Sequence, residues 1–467
     1  MRAAEDIPRR NRIVYASASF GGNLLSRTTQ LWLLFYFAPP KDADLPTMAP
    51  RLVLGIVLIL IGIEDAIDDA LIGFWSDRTR TRWGRRIPFI VLSTPLYVLF
   101  FFLVFNPPGA GYGSTANVVY FTVIVLVQRV MGTLSGGPLE ALLPEISRTP
   151  GSRVSIVAWQ VFLGSLGAAA ALIGTGVIKD AWGFPAMAGI VAIVALVSRY
   201  IGLWGAWPYA KLNVPPVSIG LRESMRSAFR NEQFLAFLPT FVLFNMAVTM
   251  MLSALPFFAE SVILGDDKSR AMHILSLSFD VKEGGISSIL AGSAIAGVIC
   301  SLPVVYRLSI RWGKARVYAG AMLGGALVFP WLFFMGMIPG LDRLWQSLFF
   351  VIAAGIAMTG VFAFPNAIMA DIIDYDALRT GQRREAFFYG VQNTVEKWAG
   401  SFDVFILAAL FLIGETADNP LGIRLVGPVA GVAAALAFIA FRGYRLPDSV
   451  SSETVRLNEQ GRLTSAW

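Results

Sequence analysis

The sequence predicts an all-α membrane protein of twelve transmembrane helices arranged as two six-helix halves. Three observations predict it. The 467 residues are 55% hydrophobic and 15% charged, against roughly 25% charged in an ordinary soluble protein. Apolar runs recur along the chain at about the 20-residue length that a hydrocarbon core of roughly 30 Å asks of a helix. Arginine and lysine are dense in one set of loops between those runs and sparse in the other, as the positive-inside rule requires of a multi-pass protein.

The first six runs lie near residues 12–38, 52–76, 88–105, 116–146, 154–177 and 186–209. The second six lie near 233–263, 287–310, 316–336, 345–371, 387–414 and 422–441. The fourth, seventh and eleventh exceed what a bilayer needs and are expected to project from it. Between the sets, Pro215-Pro216 is followed by an amphipathic pattern with Arg222, Arg226 and Arg230. The expected domains are an N-terminal six-helix half (1–209), a cytoplasmic linker (210–232), a C-terminal six-helix half (233–441) and a cytoplasmic tail (442–467). Placing the N-terminus inside leaves only Lys41, Arg51, Lys179, Lys268, Arg270, Lys282, Arg343 and Arg424 outside. Both termini are therefore expected in the cytoplasm, with the chain in the cell (inner) membrane.

Composition removes several function classes. One cysteine, Cys300, and one histidine, His273, leave no disulfide framework, Cys/His zinc site or Cys–His nucleophile pair. Gly313-Lys314 lacks the upstream glycine and following Ser or Thr of a phosphate loop. The net charge of +7 is spread over short loops, which argues against nucleic acid. No enzyme activity and no cofactor are expected; a small-molecule substrate, surrounding lipid and a monomeric state are.

Glu64, Asp65, Asp68 and Asp69 fall within six residues of the second run. Each acid at the centre of a spanning helix costs about 2.5–3.5 kcal/mol on insertion scales, so the cluster needs arginines, protons or a metal cation. Asp65 and Asp69 are i and i+4 and share a helix face. Two carboxylates so placed suit a hard ion such as sodium, or share a proton; pairing with arginines is the structural alternative. Glu64 and Asp68 are expected on an adjacent face, within reach of Arg27 or Arg129.

The halves echo one another. Gly73-Phe-Trp-Ser-Asp77-Arg78 and Arg82-Trp83-Gly84-Arg85-Arg86 follow the second run, and Arg311-Trp312-Gly313-Lys314-Ala315-Arg316 follows the eighth. The Gly-x-x-x-Asp-Arg spacing resembles the loop motif of the major facilitator superfamily. Asp65-Ala-Ile-Asp68-Asp69-Ala-Leu-Ile-Gly73, Pro138-Leu-Glu140-Ala-Leu-Leu-Pro144-Glu145 and Ala370-Asp371-Ile-Ile-Asp374-Tyr375 together resemble the glycoside–pentoside–hexuronide:cation symporter family (melibiose permease-like). The resemblance implies a major facilitator superfamily fold and cation-coupled uptake. It implies that Asp65 and Asp69 bind sodium or a proton with help from Thr133, and that Lys397, in Val391-Gln-Asn-Thr-Val-Glu-Lys397, lies near that site as a coupling residue. It fails at the sugar: the family's two acceptor aspartates fall at Asn23 and Gly136, and its tryptophan at Glu140.

Helical spacing offers other pocket residues. Arg129, Thr133, Gly136 and Glu140 share one face of the fourth run, and Asn23, Arg27 and Gln30 form a stripe on the first. Trp159 and Gln160 on the fifth run, and Gln392 and Asn393 on the eleventh, complete the expected substrate-binding set. Arg27 and Arg129 either hold an anionic substrate group or pair with Glu140 and the second-run acids. Asp77, Arg78, Arg153 and Arg383 are the expected gating residues. The expected function is sodium- or proton-coupled symport of a glycoside or uronide-like sugar derivative, with an amphiphile such as a lysophospholipid as the alternative solute.

Overall fold

Among the described residues, four helix starts are set by polar side-chain caps. Ser114 Oγ accepts from Asn117 N, Thr149 Oγ1 from Ser152 N, Asn231 Oδ1 from Gln233 and Phe234 N, and Asp342 Oδ1 from Leu344 N. Each satisfies an amide that the first helical turn leaves without a partner. The computed structural model describes residues 6–447 apart from 42, 44, 80, 109–113, 148, 211–230, 266–268, 275–276 and 381–384. The expected linker thus lies almost wholly outside the described residues, as do the tail beyond 447 and Arg383.

Two compact units emerge, one of residues 1–217 with 266–289 and the other of 218–265 with 290–467. In the first unit, α1 (Arg9–Ala16) and α2 (Ala18–Phe37) are followed by α3 (Arg51–Arg78), α4 (Ile87–Val104) and α5 (Thr115–Ala141). A short α6 (Leu143–Ile146) leads to α7 (Pro150–Ala169), which a π-turn joins to α8 (Thr175–Ala206). Within α8 the helix breaks at Gly183, whose φ of 82° is open to glycine and costly for other residues. The sequence placed a gap near 178–185 between two runs; the chain turns at that single glycine.

The second unit holds α9 (Glu232–Phe257), most of α10 (Glu283–Trp312), α11 (Lys314–Val328), α12 (Arg343–Ala363), α13 (Pro365–Thr380), α14 (Glu385–Phe411), α15 (Leu421–Arg424) and α16 (Val426–Phe441). The tenth run, expected as one helix, divides at Phe364 because Pro365 removes a donor and starts a new helix. Among the described residues, eight helices are long and apolar enough to cross a membrane. One of these stretches, Ser155–Tyr209, has 55 residues and contains the break at Gly183.

Two features were not legible as secondary structure. Strands β1 (Arg270–Ile274) and β2 (Leu277–Val281) pair antiparallel where the sequence indicated only an outer loop. Nearby, Lys179 is buried among opposite charges: its Nζ pairs with Asp180 at 2.9 Å and with Glu283, and lies 5.4 Å from the Trp32 ring. Asp180 also accepts from the Gly285 amide at 2.5 Å. These groups tie α8 to the first turn of α10 inside the first unit. Lys179 was read as one of the sparse outer charges; it is also a packing element.

The sequence echo is a structural repeat. Gly84 and Gly313 both adopt positive φ, 101° and 89°, each turning the chain just after a tryptophan. The following residue then pairs with an acid: Arg85 with Glu145 at 2.6 Å in the first unit, Lys314 with Asp371 at 2.5 Å in the second. Arg86 joins Glu145 at 3.1 Å. Buried acids hold the basic loops in both units, by the same local device.

Candidate cation site in the first unit

Helices α3 and α5 pack along one another, and the acids of α3 meet α5 there. Glu64, Asp65 and Asp68 each place a carboxylate oxygen within 4.8 Å of the others. Asp65 and Asp68 are buried, at 2% and 6% exposed. This differs from the sequence expectation, which set Asp68 on a neighbouring face. The reason is helical projection: at about 100° per residue, Asp68 falls between Glu64 and Asp65. The side chain of Asp69 lies outside the described residues, so the expected Asp65–Asp69 pair is not described.

Arg129 approaches Asp65 from α5, with Nη1 3.3 Å from Oδ2. Of the two roles open to Arg129, the structure displays the pairing one. The Arg129 side chain is 36% exposed against 2% for Asp65. Thr133, one turn along from Arg129, is buried. Oxygens up to 4.8 Å apart can bracket a hard cation at about 2.4 Å from each. The same carboxylates can hold a proton, so the donor set fits either ion.

The expected substrate residues divide. Asn23 donates from Nδ2 to Ser19 O at 3.0 Å and packs on Gly164 of α7, a contact 2.8 Å from where a Cβ would sit. Arg27 donates to Gln30 Oε1 at 2.6 Å. Glu140 is exposed, Gly136 and Gln160 are half-buried, and Trp159 meets Phe162 edge to face. In the second unit Gln392 is buried and Lys397 half-buried; the Asn393 side chain lies outside the described residues. Of the gating set, Arg153 is exposed, with Nε 3.5 Å from Ser147 Oγ, and the side chains of Asp77 and Arg78 are also outside the described residues.

Sequence reasoning missed Arg199. It is 6% exposed on α8, donates to Ser135 Oγ at 2.8 Å, and lies 5.5 Å from the Tyr97 ring. Its Nη2 is 3.9 Å from where a Cβ on Gly136 would lie. The signal was present: a lone arginine inside an apolar run is costly unless used. It was absorbed into the sixth span.

A family description of MFS/sugar transport proteins matches residues 14–415. The chain belongs to that family. It has an all-helical MFS-type transporter fold and is a multi-pass membrane protein with a small-molecule substrate. It is 25% identical to a glucuronide carrier protein homolog of Escherichia coli, over 96% of this chain and 94% of that one. It is 23% identical to a sodium-dependent lysophosphatidylcholine symporter of Gallus gallus, over 72% of this chain and 66% of that one. Among solved structures, a bacterial homologue of the human drug peptide transporters superposes with a TM-score of 0.64 at 12% identity, covering 97% of this chain and all of that one. That last likeness concerns fold alone.

Proposed function

We propose that this family member is a cation-coupled symporter of a small polar solute, a glycoside or uronide-like sugar derivative, working by alternating access. The observation that carries the reading is the convergence of Glu64, Asp65 and Asp68 inside a helix of a sugar-transport family chain. Carboxylates in lipid need a positive partner, and a mobile one converts their cost into coupling. Asp65, with Asp69 and Thr133, receives sodium or a proton. Arg129 occupies Asp65 when that cation is away. Lys397 couples the second half to the cycle, and Asp77, Arg78, Arg153 and Arg383 act in gating.

The chain crosses the membrane twelve times as two halves, 1–209 and 233–441, with both termini cytoplasmic, and works as a monomer. The helix Ser155–Tyr209 is long enough to cross twice about Gly183. Helices α2, α3 and α14 have crossing length but carry the charged residues of the proposed site. Added to the eight apolar spans, these support twelve.

A second reading takes an amphiphile as solute, favoured by similarity to the lysophosphatidylcholine symporter. One experiment separates the readings. Purified protein in liposomes is given sodium or proton gradients with glucuronides, glycosides or lysophosphatidylcholine. Gradient-driven accumulation of a sugar derivative supports the first reading, accumulation of the lysolipid the second. Uptake indifferent to both gradients removes coupling.

A further inference from the structure

In the second unit α14 packs along α9, and the seam between them is polar. Asn245 donates to Glu396 Oε1 at 3.0 Å. One turn further along α9, Thr249 and Asp403 share a hydrogen bond through Oγ1 and Oδ2. Glu396 and Asp403 are seven residues apart on α14, two helical turns, so both face α9. Asp403 is 2% exposed, and its Oδ1 is buried with no hydrogen-bond partner among the described residues.

Among the described residues, no neighbouring helix supplies an opposite charge to Asp403. On α9 the charged residue is Glu232, in the first turn. On α13, Asp371 is held by Lys314, and Asp376 faces Arg379. Arg424 of α15 donates to the carbonyls of Phe333 and Met335. On α14 itself Lys397 stands nearly two turns away. Among the described residues none forms an ion pair with Asp403.

Proton counting favours one protonation state over the other. The Thr249 hydroxyl has one proton, and its oxygen lies 3.1 Å from the Met246 carbonyl as well as beside Asp403. A carbonyl only accepts, and so does an ionised carboxylate. With Asp403 ionised, two acceptors compete for a single hydrogen. With Asp403 protonated, its O–H donates to Thr249 Oγ1, Thr249 donates to Met246 O, and both contacts become hydrogen bonds. An ionised carboxylate buried with no opposite charge beside it among the described residues is disfavoured on the same side of the balance.

We propose that Asp403 is a proton-binding site of the second unit, loaded in this conformation and unloaded when the cycle opens the α9–α14 seam to water. It is separate from the acids of α3 and makes the proton a coupling ion. What that proton does rests on the symport reading; its presence is a property of the protein alone.

Infrared difference spectroscopy of purified protein at pH 7 tests it. The wild type and D65N are expected to show the C=O stretch of a buried protonated carboxyl, and D403N to lose it. A band unchanged in D403N overturns the proposal, whether or not any solute is transported. Should D403N not fold, T249V keeps the acid but removes its hydrogen-bond partner; a band that fails to shift in T249V is equally fatal. In liposomes, with a solute identified by the uptake screen, D403N is expected to keep gradient-free exchange and lose about tenfold in proton-driven accumulation. Wild-type accumulation in D403N removes Asp403 as a carrier. Absence of uptake under any gradient removes the symport reading and leaves the infrared result standing.

Discussion

Replacing Arg129 with glutamine isolates the competition on which the first-unit site depends. Arg129 Nη1 stands 3.3 Å from Asp65 Oδ2. At an effective dielectric near 20, unit charges at that distance attract by about 5 kcal/mol. Most of this is offset, because the Arg129 side chain is 36% exposed and water screens what it reaches. A net of about 1–2 kcal/mol remains, corresponding to roughly 5–30-fold in an equilibrium. If Arg129 and the incoming cation compete for Asp65, R129Q binds sodium tighter by that factor. The assay is thermal stabilisation of purified protein in detergent, titrated with sodium at constant ionic strength, with D65N as the control that loses the response. Sodium binding in R129Q equal to or weaker than in the wild type would refute the competition. An undiminished response in D65N would remove Asp65 from the site.

Three stability predictions use the same thermal assay. Glu145 is 4% exposed and serves both Arg85 and Arg86, so E145Q removes the charge that two largely buried guanidinium groups share and should cost about 3 kcal/mol. D371N releases Lys314, whose side chain is 21% exposed, and should cost less, about 1–2 kcal/mol; equal losses would show that burial does not set the difference. Ala at Gly84 or Gly313, where φ is 101° and 89°, should each cost about 1–2 kcal/mol, and an unchanged midpoint would mean that the turn relaxes. K179M leaves Asp180 and Glu283 facing each other without their cation, an expected loss of about 3 kcal/mol. The double variant K179M/E283Q should recover part of it, and no recovery would contradict the pairing.

How much was legible follows from what each signal measures. Apolar length marked nearly every helix, because a bilayer imposes one length on all of them. Breaks were unequally visible: Gly183 falls in the gap at 178–185 that separates two runs, whereas Pro365 divides a run that hydropathy treats as uniform. The β1–β2 hairpin was invisible because its five-residue strands are too short for a periodicity argument against a loop. At the site, composition identified the α3 acids, since four carboxylates in an apolar run are hard to miss. Assigning faces was harder. Asp68 joins Glu64 and Asp65 because i+3 and i+4 neighbours both stay within one broad arc, and spacing alone does not choose between them. Arg199 and Asp403 were each readable as single charges in apolar runs, but which partner satisfies them is a tertiary fact.

The charges of the two units differ in how they are satisfied, and that difference carries mechanistic weight. Glu145 with Arg85 and Arg86, and Asp371 with Lys314, pair a buried acid with the echoed basic loop of each unit. Both sides of each pair are fixed side chains, so they constrain loops without requiring a visitor. On α3, Asp65 meets a partly exposed side chain, Arg129, which an arriving cation can displace. Among the described residues, Asp403 meets a hydroxyl that is already committed to a carbonyl. Structural pairs, a displaceable pair and an acid that needs its own proton respond differently to a change of medium. Salt should weaken the partly exposed Arg129 contact first, whereas Asp403, 2% exposed, should answer to pH.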